Sequence, residues 1–346
     1  MKKQFRIGDI LVGNPKQVMV IPEIGINHQG SLKVAKEMVD AAYFAGAHLI
    51  KHQTHIVGDE MCVTAKNVIP SNSSNSIYDI ITQCSLNEEE EKELKEYAES
   101  LGMLFLSTPF SRAAADRLEK FGVAAYKVGS GELNNYPLIE YIAEFGKPMI
   151  VSTGMNDIAS IAKAVNIMER HSVCYALMHT TSLYPTQPEW VRLGAMQELM
   201  REFPDTPVGL SDHTLNNHSC IAAMALGADL VERHFTDSME RKGPDIVCSM
   251  DKTACKELLQ AAREIPSMLG GKKKALSEEK VTMDFAFATV VTIAPIKKGE
   301  LFTRDNLWVK RPGTGQILAE EFTSLLGKCA AEDIAEDVPL TYSMIR

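Results

Sequence analysis

PVGLSDHT, at residues 207–214, and ADLVERHF, at residues 228–235, decide the predicted fold of this chain. Each is a hydrophobic run typical of a β-strand, and each ends near a histidine, His213 in the first and His234 in the second. The apolar residues between the runs have helical spacing, so the stretch predicts one β-α-β unit. In a parallel barrel, the carboxyl ends of the strands converge on the face where active sites are built. Two neutral imidazoles on neighbouring strands could therefore hold a divalent metal.

The alternative is that the two histidines are unrelated and that each is satisfied by a backbone hydrogen bond. For a random pair of histidines this would be the more common situation. The residues that precede them favour a site. Ser211 and Asp212 stand before the first histidine, and Glu232 and Arg233 stand before the second. Polar side chains at this density are poor core material, because burying them without partners is costly.

Strand patterns and helix patterns alternate along the rest of the chain. Eight strand patterns, including the two above, are each followed by a helix pattern, with no long antiparallel stretch. This alternation predicts an α/β fold, a (β/α)8 TIM barrel, rather than an open doubly wound sheet. The first β-α turn has no G-x-G-x-x-G motif, which weakens a dinucleotide-binding interpretation. The other predicted strands are residues 18–23, 47–53, 103–108, 124–129, 148–153 and 173–180.

The chain divides into three predicted parts. Residues 1–269 form the TIM-barrel catalytic domain, residues 270–284 a short linker, and residues 285–346 a compact C-terminal domain of short strands and turns. Residues 54–76 are a long polar segment inside the barrel domain. A loop of that length is usually a lid or a disordered link.

Composition limits the class of protein. The 346 residues are 45% hydrophobic and carry a formal net charge of −9, which argues against binding of nucleic acid or an acidic membrane. This charge still allows a local basic pocket for an anionic metabolite. The seven cysteines are odd in number and form no C-x-x-C pair, which predicts a reducing, cytoplasmic location. No apolar run approaches the roughly 18 residues that span a bilayer, so we expect a soluble enzyme or binding protein.

Polar side chains cluster at the ends of the predicted strands, as a barrel active site requires. Lys51 and Lys127 lie inside apolar runs, where an unpaired ammonium group is costly, and an anionic partner would remove that cost. The alternative is a pair of internal salt bridges to Glu23 or Glu132. The polar residues at the strand ends are Glu23, Lys51, Gln53, Thr108, Lys127, Ser130, Glu132, Ser152, Ser182, Tyr184 and Ser211.

Hydroxyl groups and glycine amides among these strand ends would form a cup rich in hydrogen-bond donors. Phosphate suits such a cup, because it needs many donors, a nearby cation and glycines that let the backbone approach. A metal beside the cup would polarise an electrophile next to a phosphorylated substrate. The members of the cup are Thr108, Ser130, Ser152, Ser211, Gly129 and Gly131.

Longer motifs run through the whole chain, namely EIGINHQGS, KHQTH, STPFS, YKVGSGE, GLSDHT, ERHFTD and GPDIVCSM. They closely resemble the sialic acid synthase family, specifically its bacterial N-acetylneuraminate synthases, and they occur in the family's order. The segment from Phe285 onward, which includes IKKGELFTRDNL and KRPG, resembles the antifreeze-like (SAF) domain that these synthases carry behind the barrel.

The resemblance implies a condensation of phosphoenolpyruvate with N-acetylmannosamine and water to give N-acetylneuraminate and phosphate. It also implies a divalent metal, Mn²⁺ first, with Mg²⁺ or Co²⁺ as alternatives. Close relatives use diacetamido-trideoxy hexoses to make legionaminic or pseudaminic acid, which stays an alternative. A domain-swapped homodimer is implied, in which Phe285 and Arg311 of one subunit face the barrel of the other. Neither nucleic acid nor a membrane is expected as a partner.

The resemblance also assigns individual residues. His213 and His234 match the metal ligands, Glu23 matches the carboxylate held to be central to catalysis, and Lys127 completes the catalytic set. The phosphoenolpyruvate site is matched by Lys127, Thr108, Ser130, Ser152 and Ser211, with Ser182 standing where some relatives have Asn. The sugar-facing positions are Lys51, Gln53, Tyr184, Asp245 and Arg311. Asn72, Glu132 and Phe285 complete the substrate-binding set.

Two other classes of function remain as alternatives. A metallohydrolase could also use histidines on a barrel rim, but it would usually show a His-x-His pair on the first strand, and there is none here. The second alternative is a non-catalytic binding protein in which the C-terminal module dominates.

Overall fold

The computed structural model describes residues 3–69 and 75–346, and the chain forms two compact units, Met1–Gly270 and Gly271–Arg346. The first unit opens with an antiparallel hairpin of β1 (Phe5–Ile7) and β2 (Ile10–Val12). All seven cysteines are free thiols. In the described part of the chain, no helix is both long and apolar enough to cross a membrane.

A closed barrel of eight parallel strands forms the body of the first unit, which confirms the predicted (β/α)8 TIM barrel. The strands follow one another in chain order, and the last pairs with the first so that His234 lies opposite Glu23. The barrel strands are β3 Met19–Gly25, β4 Leu49–Thr54, β5 Leu104–Pro109, β6 Tyr126–Val128, β7 Met149–Ser152, β8 Tyr175–Thr180, β9 Val208–Asp212 and β10 Leu230–His234.

Helices surround the barrel, and local sequence sets where they begin and end. Ser31 caps the first helix by accepting a hydrogen bond from the Val34 amide at 3.4 Å, and Gly46 ends that helix with φ of 93°. The helices of this unit are α1 Leu32–Ala45, α2 Val57–Glu60, α3 Ile77–Cys84, α4 Glu88–Ser100, α5 Arg112–Phe121, α6 Tyr136–Ala143, α7 Ile158–Arg170, α8 Leu193–Glu202, α9 His218–Ala225 and α10 Lys252–Met268.

The barrel interior is apolar towards the amino ends of its strands. Ile21, Leu49 and Leu106 are fully buried there, and Ile7 and Val12 of the hairpin join the same cluster. A larger apolar cluster lies between the outer faces of the strands and the helices. The apolar filling leaves the carboxyl ends of the strands for polar side chains.

The hairpin and the segment 54–76 differ from the sequence-based prediction. The hairpin has no counterpart in that prediction, because strands of 3 residues are too short to show a periodic pattern. The segment contains α2 and a 3₁₀ helix, Val63–Asn67, rather than one unstructured loop. Asp59 anchors α2, because its carboxylate accepts a hydrogen bond from the backbone amide of Ala113 at 2.8 Å. Residues 70–74 lie outside the described part of the chain.

The second unit is a small domain of short strands and turns. Strand β11 (Thr289–Thr292) pairs antiparallel with β12 (Leu307–Lys310), and a short helix, α12 (Phe322–Leu325), packs into the same core. The expected linker is partly helical, since α11 (Lys280–Ala286) begins inside it. This helix is supported by a contact of 2.5 Å between Lys280 Nζ and Asp284 Oδ1, one turn apart.

Candidate active site

A buried ion-pair cluster lies inside the barrel at the carboxyl ends of its strands. Lys51 on β4 bonds to Glu23 on β3, and its Nζ lies 3.3 Å from Oε1 of Glu232 on β10. Gln53 donates a hydrogen bond to the same Glu23 oxygen at 2.7 Å. The side chains of Lys51, Glu23 and Glu232 are at most 5% exposed. Lys51 therefore has Glu23 as an internal salt-bridge partner. The sequence analysis gave such a salt bridge as the alternative to an external anionic partner.

Mutual attraction keeps Glu23 and Lys51 ionised. Burial alone would raise the pKa of Glu23, but the charges of Lys51 and His234 outweigh it and hold that pKa well below its ordinary value. Burial alone would lower the pKa of Lys51, but Glu23 and Glu232 together raise it. Glu23 is therefore a carboxylate at neutral pH, and Lys51 is an ammonium ion.

Lys127 on β6 is buried between a hydroxyl group and a carboxylate. Its Nζ donates to Ser152 Oγ at 2.6 Å and to the Val128 carbonyl at 3.2 Å, and it lies 3.7 Å from Glu232 Oε1. Burial lowers the pKa of Lys127 to about 8, because the loss of hydration outweighs the attraction of Glu232. An anion bound beside Lys127 would stabilise its charged form.

Glu232 is the residue that the sequence-based site lacked. Its Oε1 is shared by Lys51, Lys127 and Ser211, whose hydroxyl lies at 3.4 Å. Its Oε2 is buried and has no hydrogen-bond partner among the described residues. The signal in the sequence was a carboxylate inside an apolar strand, two residues before His234. That signal alone does not say which side of the strand the carboxylate faces.

The imidazoles of His213 and His234 face each other, with ring centroids 5.4 Å apart. His213 Nδ1 bonds to the Thr181 carbonyl oxygen at 2.9 Å, which places the proton on Nδ1 and leaves a lone pair on Nε2. Burial lowers the pKa of His213 to about 3, so the ring is neutral at pH 7. His234 Nδ1 is buried without a hydrogen-bond partner in the described part of the chain, and Asp245 Oδ2 lies 4.0 Å from it.

This pair of imidazoles has the donor chemistry that a divalent metal needs. Each ring has a nitrogen available for coordination, and one of these nitrogens is a buried polar atom that lacks any other partner. Among the described residues, no group of three or more His, Cys, Asp or Glu side chains is arranged to hold a metal. A metal held by the two histidines would therefore need water or substrate for its other positions.

The segment after β6 and the loop after β8 bring two hydroxyl groups and an aromatic ring to the site, and Gly154 in the loop after β7 lies next to both hydroxyls. The amide of Gly154 donates to Ser130 Oγ at 3.0 Å, and a Cβ on residue 154 would lie 2.5 Å from Ser182 Oγ. The missing side chain therefore lets the two serines approach each other. Tyr184 covers His213 with ring centroids 4.0 Å apart, and the Tyr184 residue as a whole is 41% exposed. Thr108 Oγ1 is buried without a partner among the described residues.

Among the sequence-predicted positions described in the first unit, Glu132 is not part of this cluster. Glu132 accepts a hydrogen bond from Asn135 at 3.2 Å and forms no ion pair with Lys51 or Lys127 in the described residues. Phe285 and Arg311 are exposed residues of the second unit. Asn72 lies outside the described residues.

Fold and site together define the class of protein. Buried lysines, carboxylates and imidazoles meet at the carboxyl ends of the strands, which is where (β/α)8 barrels carry their active sites. A charged cluster of this density is expensive to bury and is typical of a binding or catalytic centre. The first unit thus has the architecture and the buried charge cluster that barrel enzymes share.

Comparison with known proteins identifies the family. A model of the NeuB family matches residues 38–274, and a model of the SAF domain matches residues 287–346. The chain belongs to the NeuB family. Its similarity to an uncharacterised protein of Methanocaldococcus jannaschii is 38% identity over 97% of this chain and 96% of that protein.

Two further relatives have named activities. The chain is 34% identical to the N,N'-diacetyllegionaminic acid synthase of Campylobacter jejuni, over 93% of this chain and 98% of that enzyme. It superimposes on the crystal structure of N-acetylneuraminic acid (sialic acid) synthetase from Leptospira borgpetersenii with a TM-score of 0.74 and 27% identity. That comparison covers 82% of this chain and 96% of the other.

Proposed function

We propose that this protein is a sialic-acid-type synthase that condenses phosphoenolpyruvate with N-acetylmannosamine and water, giving N-acetylneuraminate and phosphate. The observation that carries the proposal is the position of Lys127. This buried ammonium group has a hydroxyl and a carboxylate as neighbours and lies in the same barrel mouth as the facing histidines. Family membership supports the same reaction class.

Lys127 and the surrounding hydroxyl groups would hold phosphoenolpyruvate. Lys127 Nζ already donates a hydrogen bond to Ser152 Oγ, and a phosphate or carboxylate oxygen of the substrate bound beside Lys127 would gain a charge-assisted hydrogen bond. The unpartnered hydroxyl of Thr108 and the two serine hydroxyls beside Gly154 supply further donors. The substrate would be fixed by groups from several strands, which restricts its orientation.

His213 and His234 would hold the metal, Mn²⁺ in our proposal, with Mg²⁺ or Co²⁺ able to occupy the same two imidazoles. When bound, such an ion supplies Lewis acidity towards the aldehyde oxygen of the sugar. The balance of charges in the site supports the presence of a metal ion. Glu23 and Glu232 already offset Lys51 and Lys127, so a multiply charged anion needs an additional cation nearby.

Glu23 would accept and return the protons of the reaction. It is ionised at neutral pH, and it contacts both Lys51 and His234. From this position its carboxylate can take a proton from the water that adds to C2 of the former enol phosphate. Lys51 and Gln53 fix the orientation of the carboxylate through Oε1, which leaves Oε2 for the substrate side.

We expect the enzyme to release phosphate from phosphoenolpyruvate fastest when N-acetylmannosamine is the sugar substrate. The purified enzyme, Mn²⁺ and phosphoenolpyruvate would be incubated with N-acetylmannosamine or a diacetamido-trideoxy hexose, and phosphate release followed. We expect kcat/KM to favour N-acetylmannosamine about 10-fold or more, because a site that hydrogen-bonds hydroxyl groups rejects sugars that lack them.

The second candidate is legionaminic acid synthesis, which the 34% identity to the Campylobacter jejuni enzyme favours. A higher kcat/KM with the diacetamido sugar would therefore select this candidate and refute our choice. The His213→Ala variant serves as the control for both sugars. It should release little phosphate with either, because the site loses one of its two proposed metal ligands.

We also propose a domain-swapped homodimer in which the partner subunit's Arg311 reaches the sugar. The Arg311→Ala variant should show a higher KM for the sugar and a nearly unchanged KM for phosphoenolpyruvate. Arg304→Ala, which removes another exposed arginine of the same unit, is the matched control and should leave both constants unchanged.

Mixing variants tests the exchange between subunits. Subunits that carry Arg311→Ala and subunits that carry Glu23→Gln would be dissociated together and reassociated, then assayed at low sugar concentration. Random pairing of the two kinds of subunit would create about one native site in four if Arg311 acts across the dimer. No recovery of activity would contradict action in trans.

A further inference from the structure

A buried ion pair lies directly behind the two histidines. Side chains along β9 and β10 alternate between the barrel interior and its outer face. Ser211 and Glu232 meet inside the barrel, so Asp212 and Arg233, one residue further on, face outward. Asp212 and Arg233 are cross-strand neighbours, and Arg233 Nε lies 3.1 Å from Asp212 Oδ2.

The guanidinium group of Arg233 also binds three groups that follow the strands. Nη1 donates to Asn217 Oδ1 at 2.7 Å, and Nη2 donates to the carbonyls of Thr214 at 2.6 Å and Cys248 at 3.3 Å. The side chain is 1% exposed. One buried cation therefore joins the end of β9, the start of α9 and the segment after β10.

These segments are the ones that carry the groups on the metal side of the site. Thr214 directly follows His213, and Arg233 directly precedes His234. The Cys248 amide donates to the Asp245 carbonyl at 3.2 Å, so the same turn carries Asp245. A shift of any one of these segments would break a contact with Arg233 on the outer side.

The guanidinium group makes this arrangement rigid. It is planar, its donors have fixed directions, and its charge cannot be given up by loss of a proton. A buried arginine is tolerated only where its charge and donors find partners, so the alternative positions of the surrounding backbone are costly. The spacing of the two strand ends is consequently restricted from outside the barrel.

We propose that Arg233 and Asp212 are positioning residues that set the separation of His213 and His234 and thereby the affinity for the divalent metal. The inference rests on the proposed metal site. Neither residue faces the interior where the metal and substrates would bind. They act through the backbone, by fixing the directions from which the two imidazoles approach.

Arg233→Lys is the test variant. Lysine keeps the positive charge beside Asp212, but one ammonium group cannot reach Asn217, Thr214 and Cys248 together. We expect binding of Mn²⁺ to weaken about 10-fold to 100-fold, the range seen when a group that orients a metal ligand is lost. Binding would be measured without substrates, from the electron paramagnetic resonance signal of free Mn²⁺. Because lysine retains the positive charge of arginine, loss of that charge could not explain a weaker binding of Mn²⁺.

Two controls separate this inference from the metal proposal. Arg117→Lys alters another arginine on the outer side of the barrel, which bonds to buried Glu91 at 3.1 Å, and should leave Mn²⁺ affinity unchanged. His213→Ala should abolish binding. If Arg233→Lys does not fold, Asp212→Asn takes its place, with a loss of affinity again expected.

The outcomes have distinct meanings. Unchanged Mn²⁺ affinity in the folded Arg233 variant, or in Asp212→Asn where that is used, would overturn the positioning inference while leaving the metal site intact. An equal loss in Arg117→Lys would also overturn it, because general loosening would then explain the effect. If the wild-type protein bound no Mn²⁺, or if His213→Ala bound it normally, the metal proposal and this inference would both fail.

Discussion

The Glu23→Gln variant is expected to lose about 10²-fold to 10⁴-fold in kcat, the range for removal of a general acid or base. Glutamine keeps the size of the side chain and an oxygen that can accept from Lys51 and Gln53. It cannot take up a proton at neutral pH. The loss should therefore be in kcat, with KM for phosphoenolpyruvate little changed, as measured by phosphate release and by formation of the sugar acid.

Glu91→Gln is the matched control for that experiment. Glu91 is also a buried carboxylate, bonded to His52 at 3.2 Å and to Arg117 at 3.1 Å, and its pKa is lowered by these partners against the effect of burial. It extends from α4 and does not contact the ion-pair cluster around Glu23. Its replacement should lower the melting temperature and leave kcat unchanged. A folded Glu23→Gln enzyme with near wild-type kcat would refute the proposed proton transfer.

Lys127→Met is expected to lower kcat/KM for phosphoenolpyruvate about 10²-fold to 10³-fold, as for other losses of a preorganised charge-stabilising donor. Methionine fills a similar volume but offers no charge and no donor to the substrate. The removal also leaves Glu232 with one fewer cation, so the negative potential where the phosphate would bind increases. Steady-state kinetics at varied phosphoenolpyruvate and saturating sugar would measure the loss.

The pH dependence of the wild-type enzyme should report the same lysine. The pKa of Lys127 is lowered to about 8 in the free protein, so kcat/KM for phosphoenolpyruvate should fall as the pH rises through about 8. The value of kcat/KM falls rather than rises, because deprotonation of Lys127 removes the cation that attracts the anionic substrate. Lys127→Met should lack this fall. If the fall persists in the variant, another group is responsible.

Lys95→Met controls for the removal of a buried lysine as such. Lys95 on α4 is buried, and it pairs with Glu99 one turn along the same helix at 2.6 Å. Its replacement should leave both the phosphoenolpyruvate kinetics and their pH dependence as in the wild-type protein. A matching loss in this variant would indicate that general destabilisation explains the Lys127 result.

The barrel could be predicted from sequence because each of its strands is a short apolar run followed by a helix of clear periodicity. β3, for example, is buried along its whole length, so its apolar residues stand out. The hairpin formed by β1 and β2 could not be predicted, because its short strands carry no comparable pattern. The helix α2 could not be predicted either, because its 4 residues are too few to show a periodic pattern, and its contact from Asp59 to α5 is not visible in the sequence.

The site was only partly predictable, because sequence shows which groups lie near strand ends but not how they pair. Lys51 was recognised as a buried charge, yet its second partner, Glu232, is 181 residues away in the chain. Glu132 was offered as a partner for the lysines, but it bonds to Asn135. The approach of Ser182 to Ser130 depends on Gly154, a residue with no side chain to attract notice.

The alternation along β9 and β10 has a consequence for protein engineering. A library aimed at new sugar specificity would normally vary every residue in the stretches SDHT and ERHF. Half of those residues face away from the cavity. Random changes at Asp212 and Arg233 would mostly destabilise the barrel rather than alter sugar selectivity. Tyr184 and Ser182 lie in loops and are only partly covered, so they are the more productive positions to diversify. Residues that face the cavity and residues that support the strands from outside thus alternate within the same short motifs.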